Sequence, residues 1–326
     1  MYLDKQMAIW RLALSSLTRD IPVMLLYVLE SNGSSPGRQG FFMVVNALGD
    51  MQGSIGGGIM EHKFVEMSRE RLMQNDHILS IRKQVHDKEA SKDQSGMICS
   101  GDQTILLYML RSSDAGTLHH ILDSLEQQQN GALRLSPAGI AFSPIVPELD
   151  HHFSKHSADN WWYEEKTGYK RVLFIIGGGH CSLALSHIMG MMDFYIYLFD
   201  HRPGLVTLSR NTFAHKKIIL KDYDELQELI PSGVRHHYIM IMTQGYRTDD
   251  LAVRAVLHKD FRYIGLLGSK AKIKKMMEGY RAEGISEAQL QKLHAPAGLS
   301  IKSQTPEEIA ISIAAEIISI KNEGNP

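Results

Sequence analysis

Three consecutive glycines, Gly177, Gly178 and Gly179, separate the apolar run RVLFII (171–176) from a segment, 180–192, with apolar residues at helical spacing. Glycines let a backbone approach a phosphate closely, and the first N–H groups of a helix attract an anion with help from its dipole. The pattern is nearly the G-x-G-x-x-G of dinucleotide-binding folds, with Ser182 where the third glycine belongs. Asp200 closes the next apolar run, 23 residues after Gly177, where such folds place the acid that meets a ribose hydroxyl. A phosphate-bearing ligand is therefore expected against Gly177–Gly179 and His180. A tight turn without a ligand is the plain alternative.

A second candidate is MTQGYRTDD (242–250), at the carboxyl end of a predicted strand. Thr243, Gln244, Gly245 and Asp249 are expected to face the crevice that open α/β sheets form beyond their strand ends. The competing reading makes Thr248 a helix cap with Asp249 and Asp250 in the first turn. Ser269 and Lys270, in GLLGSKAK, read as an ordinary helix start. In the first half, GSSPGR (33–38) and GSIGGGIMEH (53–62) bring together small residues, Ser35 and Gly56, Gly57, Gly58 among them. Arg38 can grip a phosphate or carboxylate in a fork, and Glu61 begins a helix, as a base or as a cap. Cys99, between Gly96 and Gly101, is a thiolate candidate or a small buried apolar residue. HHFSKH (151–156) would put His152 and His156 on one helical face, but its composition is that of a loop.

These residues need a frame of some size. The chain has 326 residues, 44% hydrophobic and 22% charged, enough for two ordinary globular domains. Its 35 basic and 36 acidic residues nearly cancel, so neither nucleic acid nor an anionic membrane is an expected partner. Two cysteines without a C-x-x-C pair argue against a disulfide or zinc scaffold. The N-terminal segment lacks the apolar core of a signal peptide, and a cytoplasmic location is expected.

From residue 171, strands at 171–176, 194–199, 238–243 and 262–267 alternate with helices near 180–192, 221–230, 248–258 and 270–283. That order predicts a doubly wound parallel sheet. TPEEIAISIAAEII then reads as a closing helix with a capping box from Thr305 to Glu308. The first half reads as an α/β domain: an amphipathic helix, strands at 23–31 and 41–46, a helix with Phe64, Val65, Met67, Leu72 and Met73 on its apolar face, and strands at 79–85 and 103–110. A helix at 115–129 follows. Residues 130–168, with Pro137, Pro144 and Pro147, read as a linker, giving domains 1–168 and 169–326.

Taken in order, GSSPGR, GSIGGGIME, the Cys99 turn, IIGGGHCSLAL with FDHRP, MTQGYRTDD, YIGLLGSKAKI and PAGLSIKSQTPEEIAISIAAEII resemble the xanthine dehydrogenase accessory factor family (XdhC/CoxI). The resemblance implies an N-terminal XdhC/CoxI domain followed by a Rossmann-like domain. It also implies a chaperone rather than a stand-alone catalyst: a protein that binds the molybdenum cofactor (molybdopterin), supports its sulfuration and delivers it to an apo molybdenum hydroxylase. A cysteine desulfurase would donate the sulfur. Arg202 of FDHRP joins the cofactor-binding residues on this basis, and Cys99 matches a family cysteine that is a candidate molybdenum or sulfur ligand. Ile59 and Met60 stand where many members carry a second cysteine, and Tyr246 where a histidine is common. A homodimer is expected. Other readings stay open: an NAD(P)- or flavin-dependent oxidoreductase built on the same turn, and a nucleotide-sensing module without chemistry.

Overall fold

The computed structural model describes residues 2–85, 101–231 and 234–323. The chain forms two compact units, Met1–Gly168 and Tyr169–Asn325.

The first unit opens with α1 (Tyr2–Thr18), which buries Leu3, Met7, Trp10 and Ala13, a stripe at helical spacing. Next come β1 (Val23–Gly33), β2 (Phe42–Asn46), β3 (Met51–Gly53), α2 (Gly58–Met73), β4 (Ser80–Val85) and β5 (Gly101–Met109). The strands form an antiparallel sheet in the order β3-β2-β1-β5-β4. Central β1 is covered on both faces, which is why VMLLYVL runs apolar without alternation. Met24, Leu26 and Val28 pack on Phe64, Val65 and Leu72 of α2. On the other face Tyr27 stacks on Phe42, and Phe42 on Trp10 of α1. Met73, placed on the apolar face of α2 by its spacing, is 82% exposed at the helix end.

After α3 (Ala115–Glu126) the chain does not become a linker. Residues 130–168 form β6 (Gly131–Ser136), β7 (Gly139–Ser143), β8 (His151–Lys155) and β9 (Trp161–Thr167), an antiparallel sheet ordered β7-β6-β9-β8. The prolines that suggest a loop occupy the turns between these strands. In β9, Trp161, Tyr163, Glu165 and Thr167 point inward and alternate with more exposed residues, the period of a sheet with one wet face. The HHFSKH histidines are therefore on and just beyond a strand, not a helix, and His152 stacks on Trp162.

The second unit contains β10 (Arg171–Ile176), α4 (His180–Met189), β11 (Phe194–Asp200), α5 (Val206–Arg210), β12 (Lys216–Ile219), α6 (Leu226–Leu229), β13 (Val234–Ile241), α7 (Tyr246–Val256), β14 (Phe261–Leu266), α8 (Lys270–Ala282), α9 (Glu287–Leu290), β15 (Leu293–His294) and α10 (Pro306–Asn322). All strand pairs are parallel, in the order β12-β11-β10-β13-β14-β15. This is the doubly wound Rossmann order. Alternate residues of each strand serve opposite faces. Phe174, Ile176, Ile239 and Ile241 pack with Ala252, Val256 and Ile273 of α7 and α8. Leu173, Ile175, Leu198 and Met240 pack with Leu185 and Met189 of α4 and with Ile313 and Ile317 of α10. The helix expected at 221–230 is shorter: a 3-10 turn, Tyr223–Glu225, followed by α6. Thr305 caps α10 in a capping box with Glu308, and Pro306 occupies the first turn, as the sequence indicates.

Candidate functional site

The strand order of the second unit reverses at β10, and the glycine turn leaves its carboxyl end at that switch point. The three glycines do different work. Gly177 has φ 110°, and a Cβ there would be driven into Met242, 2.6 Å from its carbonyl carbon. A Cβ on Gly178 would press on Leu205 and Leu208, whereas Gly179 has nothing within 4 Å and borders open space. Ser182 is fully buried, and its hydroxyl donates to the Gly177 carbonyl. The serine in the third-glycine position thus ties the first turn of α4 to the loop it follows. Thr207 adds a second tie, from its hydroxyl to the Gly178 carbonyl.

Asp200 closes β11 and is 1% exposed. Its Oδ2 accepts from Gly178 N at 2.7 Å and Arg202 Nη2 at 2.7 Å. Its Oδ1 accepts from Arg202 N and Nε, both at 2.9 Å. Burial pushes this carboxyl up, but the Arg202 guanidinium and the two N–H groups outweigh it and hold it below its ordinary value. Arg202 Nη1 also donates to Gln244 Oε1 at 3.0 Å. The guanidinium is thereby stretched from the end of β11 to the end of β13, past the glycine turn between them. His180, first residue of α4, is exposed. Burial pushes the Cys181 thiol up, away from thiolate character.

At the end of β13 the sequence-predicted residues divide. Gln244 is exposed and Gly245 caps α7, with open space where its Cβ would stand. Asp249 is fully buried and accepts from Thr243 N at 3.0 Å and Thr243 Oγ1 at 2.6 Å. It also pairs with Lys272 of α8, whose ammonium donates to the Leu267 carbonyl at 2.7 Å. Asp249 therefore braces three elements rather than facing a ligand. Ser269 is the N-cap of α8, the ordinary reading of GLLGSKAK.

In the first unit GSSPGR and GSIGGGIME meet backbone to backbone. A Cβ on Gly37 would lie 2.8 Å from the Ile55 carbonyl carbon, and one on Gly56 would lie 2.5 Å from Gly37 N. Buried Gln103 accepts from Gly37 N at 3.1 Å, and Gly101 is pressed against the Ser34–Ser35 backbone. Ser35 is buried, its hydroxyl donating to the Gly37 carbonyl at 2.9 Å. Arg38 is exposed and donates to the Gly33 carbonyl at 2.9 Å.

Gly56, Gly57 and Gly58 all have positive φ, 130°, 74° and 69°. Their loop already holds an anion, because Glu61 Oε2 accepts from Ser54 Oγ at 2.6 Å, Ile55 N at 2.8 Å and Gly57 N at 3.0 Å. Replacing Glu61 with alanine strands these donors beside water. We expect a loss of about 1–2 kcal/mol, read as a lowered urea midpoint at constant m-value. Cys99 lies outside the described residues.

Two stretches match known families: residues 16–81 match the XdhC and CoxI family, and residues 173–317 match the XdhC Rossmann domain. The chain belongs to the XdhC and CoxI family. Every sequence-predicted site residue of this XdhC-type chain except Cys99 falls inside one of the two stretches. YqeB, an uncharacterized protein of Escherichia coli K12, is 24% identical over 310 residues, 93% of this chain and 44% of that protein. A probable xanthine dehydrogenase subunit of Bacillus subtilis 168 is 28% identical over 149 residues, 46% of this chain and 42% of that protein. The matches span less than half the length of these curated relatives. A crystal structure of a xanthine dehydrogenase from Bacillus halodurans has a TM-score of 0.70 and 23% identity, covering 97% of this chain and 96% of that one. That likeness is one of fold.

Several partners in the XdhC domain escape sequence reasoning. Lys272 on Asp249, and Tyr223 against His201, join residues distant in the chain. In the first unit the hydroxyls of Tyr27 and Tyr163 both donate to Glu165 Oε2, at 2.6 and 2.7 Å. Apart from Tyr163 and Glu165, two residues apart on one face of β9, no local pattern signals such pairs. Among the described residues no three His, Cys, Asp or Glu side chains converge as a metal site, and no helix is long and apolar enough to cross a membrane.

Proposed function

We propose that this XdhC-family chain binds the molybdenum cofactor through its phosphate and acts as an accessory factor for a xanthine dehydrogenase-type hydroxylase, supporting cofactor sulfuration and insertion. The observation that carries the reading is the mouth of the C-terminal crevice. Gly179 borders open space at the start of α4, and the Arg202 guanidinium is held at the same mouth by Asp200 and Gln244. A helix start and a fixed guanidinium form a phosphate grip. The name of the Bacillus subtilis relative supports the choice of hydroxylase.

The residues fit the phosphate of such a cofactor: Gly179 and His180 offer backbone N–H groups, and Arg202 offers the Nη1 and Nη2 hydrogens not given to Asp200 and Gln244. When bound, the cofactor supplies a molybdenum centre whose oxo ligand can be exchanged for sulfido. The chain's own residues bind and orient it, with Cys99 as the candidate soft ligand. The apo-hydroxylase, a cysteine desulfurase and a second copy of this chain are the proposed partners, in the cytoplasm.

The same geometry disfavours the NAD(P) or flavin reading. To accept a ribose hydroxyl, Asp200 would have to release donors that now fill both its oxygens. Each such hydrogen bond to a charged group is worth about 1.5–3 kcal/mol. Purified protein loaded with molybdopterin should give pterin fluorescence after oxidation, and Gly179→Asp should abolish it by placing a carboxylate at the phosphate position. Absence of pterin from the wild type, or sub-millimolar binding of NAD(P)H, would reverse the assignment.

A further inference from the structure

The glycine turn of the C-terminal unit has two unequal sides. In a dinucleotide site the diphosphate lies on the second glycine, and the nucleoside continues to the acid that accepts its ribose. In this chain those positions are Gly179 and Asp200, and the way between them is filled. Asp200 Oδ2 takes the Gly178 amide and Arg202 Nη2, both at 2.7 Å, and Oδ1 takes Arg202 N and Nε, both at 2.9 Å. A carboxylate has about four acceptor sites, so none is left for a ribose. Leu205 and Leu208 reach to 3.1 Å from where a Gly178 Cβ would stand, and Asp200 Oδ2 to 3.4 Å. Leu208 is buried, and the Thr207 hydroxyl is tied to the Gly178 carbonyl. The turn has no gap on the β11 side.

The β13 side is open. Gly179 and Gly245, at the starts of α4 and α7, each have nothing within 4 Å of an added Cβ.

The guanidinium between these sides has a limited capacity. Of its five N–H hydrogens, Asp200 takes two and Gln244 one. One remains on each terminal nitrogen, which suits a single phosphoryl group. A terminal phosphate presents three non-ester oxygens and a charge of about −1.5 to −2 at pH 7. A phosphoryl group inside a diphosphate diester presents two such oxygens and a single charge, and gives the fork less to hold.

We propose that this crevice takes ligands that end in a phosphate, with their body on the β13 side, and rejects those whose diphosphate continues into a nucleoside on the β11 side. For a pterin cofactor, the phosphate form is bound and the nucleotide-extended form is turned away. The proposal rests on the reading of the crevice as a phosphate site and adds the class of phosphate. Leu205 and Leu208 are its specificity residues, and Asp200 positions Arg202.

The test is calorimetric titration of the full chain with two probes that share one pterin. The first is 6-hydroxymethylpterin phosphate, and the second is the same pterin joined through a diphosphate to cytidine. The second should bind at least about tenfold more weakly, the loss expected when one hydrogen bond to a charged group is given up. Equal or tighter binding of the cytidine-linked probe overturns the selection while leaving the phosphate reading in place. Failure of both probes removes the phosphate reading and the selection with it. Leu205→Ala should narrow the ratio between the probes, because it opens the wall beside Gly178. An unchanged ratio in a folded variant overturns that wall as the cause of the selection.

Discussion

Gly177→Ala should destabilise the C-terminal unit by about 3–5 kcal/mol and lower its thermal midpoint by many degrees. Two effects combine. At φ 110° an L-residue is strained, at a cost of about 1–3 kcal/mol. The added Cβ also meets Met242 backbone at the end of β13, with its carbonyl carbon at 2.6 Å and Thr243 Cα at 2.8 Å. Backbone leaving a central strand, with Met242 N still bonded to the Ile176 carbonyl at 2.9 Å, cannot move aside as a flexible side chain would, so the clash adds to the strain. Gly179→Ala is the control two residues away. Its backbone is in the ordinary extended region, and the new methyl faces open space, so stability should change by no more than about 0.5 kcal/mol. Chemical denaturation of the two variants separates the glycine required by the fold from the one that borders open space.

Asp200→Ala should cost about 3 kcal/mol. It removes the acceptor of Gly178 N and of three Arg202 donors, and leaves a guanidinium without its partner. Breaking a fully buried pair costs about 3–5 kcal/mol; the lower end applies because Arg202 keeps 31% exposure and water can reach it. The pH dependence has a definite sign. The folded carboxyl titrates below its unfolded value, so its stabilisation is fully present above the unfolded pKa and disappears as pH falls through the folded one. Wild type should therefore lose stability relative to Asp200→Ala below about pH 4, and the two denaturation midpoints should converge there. Parallel profiles down to the acid limit would remove Asp200 from the account.

Much of the second unit is legible in the sequence because β11 and the carboxyl-terminal parts of β10, β13 and β14 read as apolar runs, buried at Leu173–Ile176, Tyr238–Ile241 and Tyr263–Leu266. The edge strands KKII (216–219) and LH (293–294) are too short and too polar or isolated to carry a period. Residues 130–168 mislead for the opposite reason. Their prolines lie in turns and their polar residues on the wet face of a sheet, so composition suggests a linker where alternation marks strands. At the site, residue type and position are readable but hydrogen-bond partners are not. Asp200 stands where a ribose acceptor belongs, yet Arg202, two residues along, folds back and saturates it. Glu61, read as either a base or a cap, proves to fill the glycine loop beside it.

That filled loop bears on competition. Inorganic phosphate or sulfate in solution meets the backbone amides of Ile55 and Gly57 at its bulk concentration. The Glu61 carboxylate meets them as a tethered group, and even a short flexible tether gives an effective concentration in the millimolar range. A rigid first helical turn exceeds that. The three-glycine loop of the N-terminal unit is thereby insulated from the small anions that surround it, whereas in the other glycine turn the internal carboxylate, Asp200, occupies the Gly178 amide and the Gly179 end borders open space.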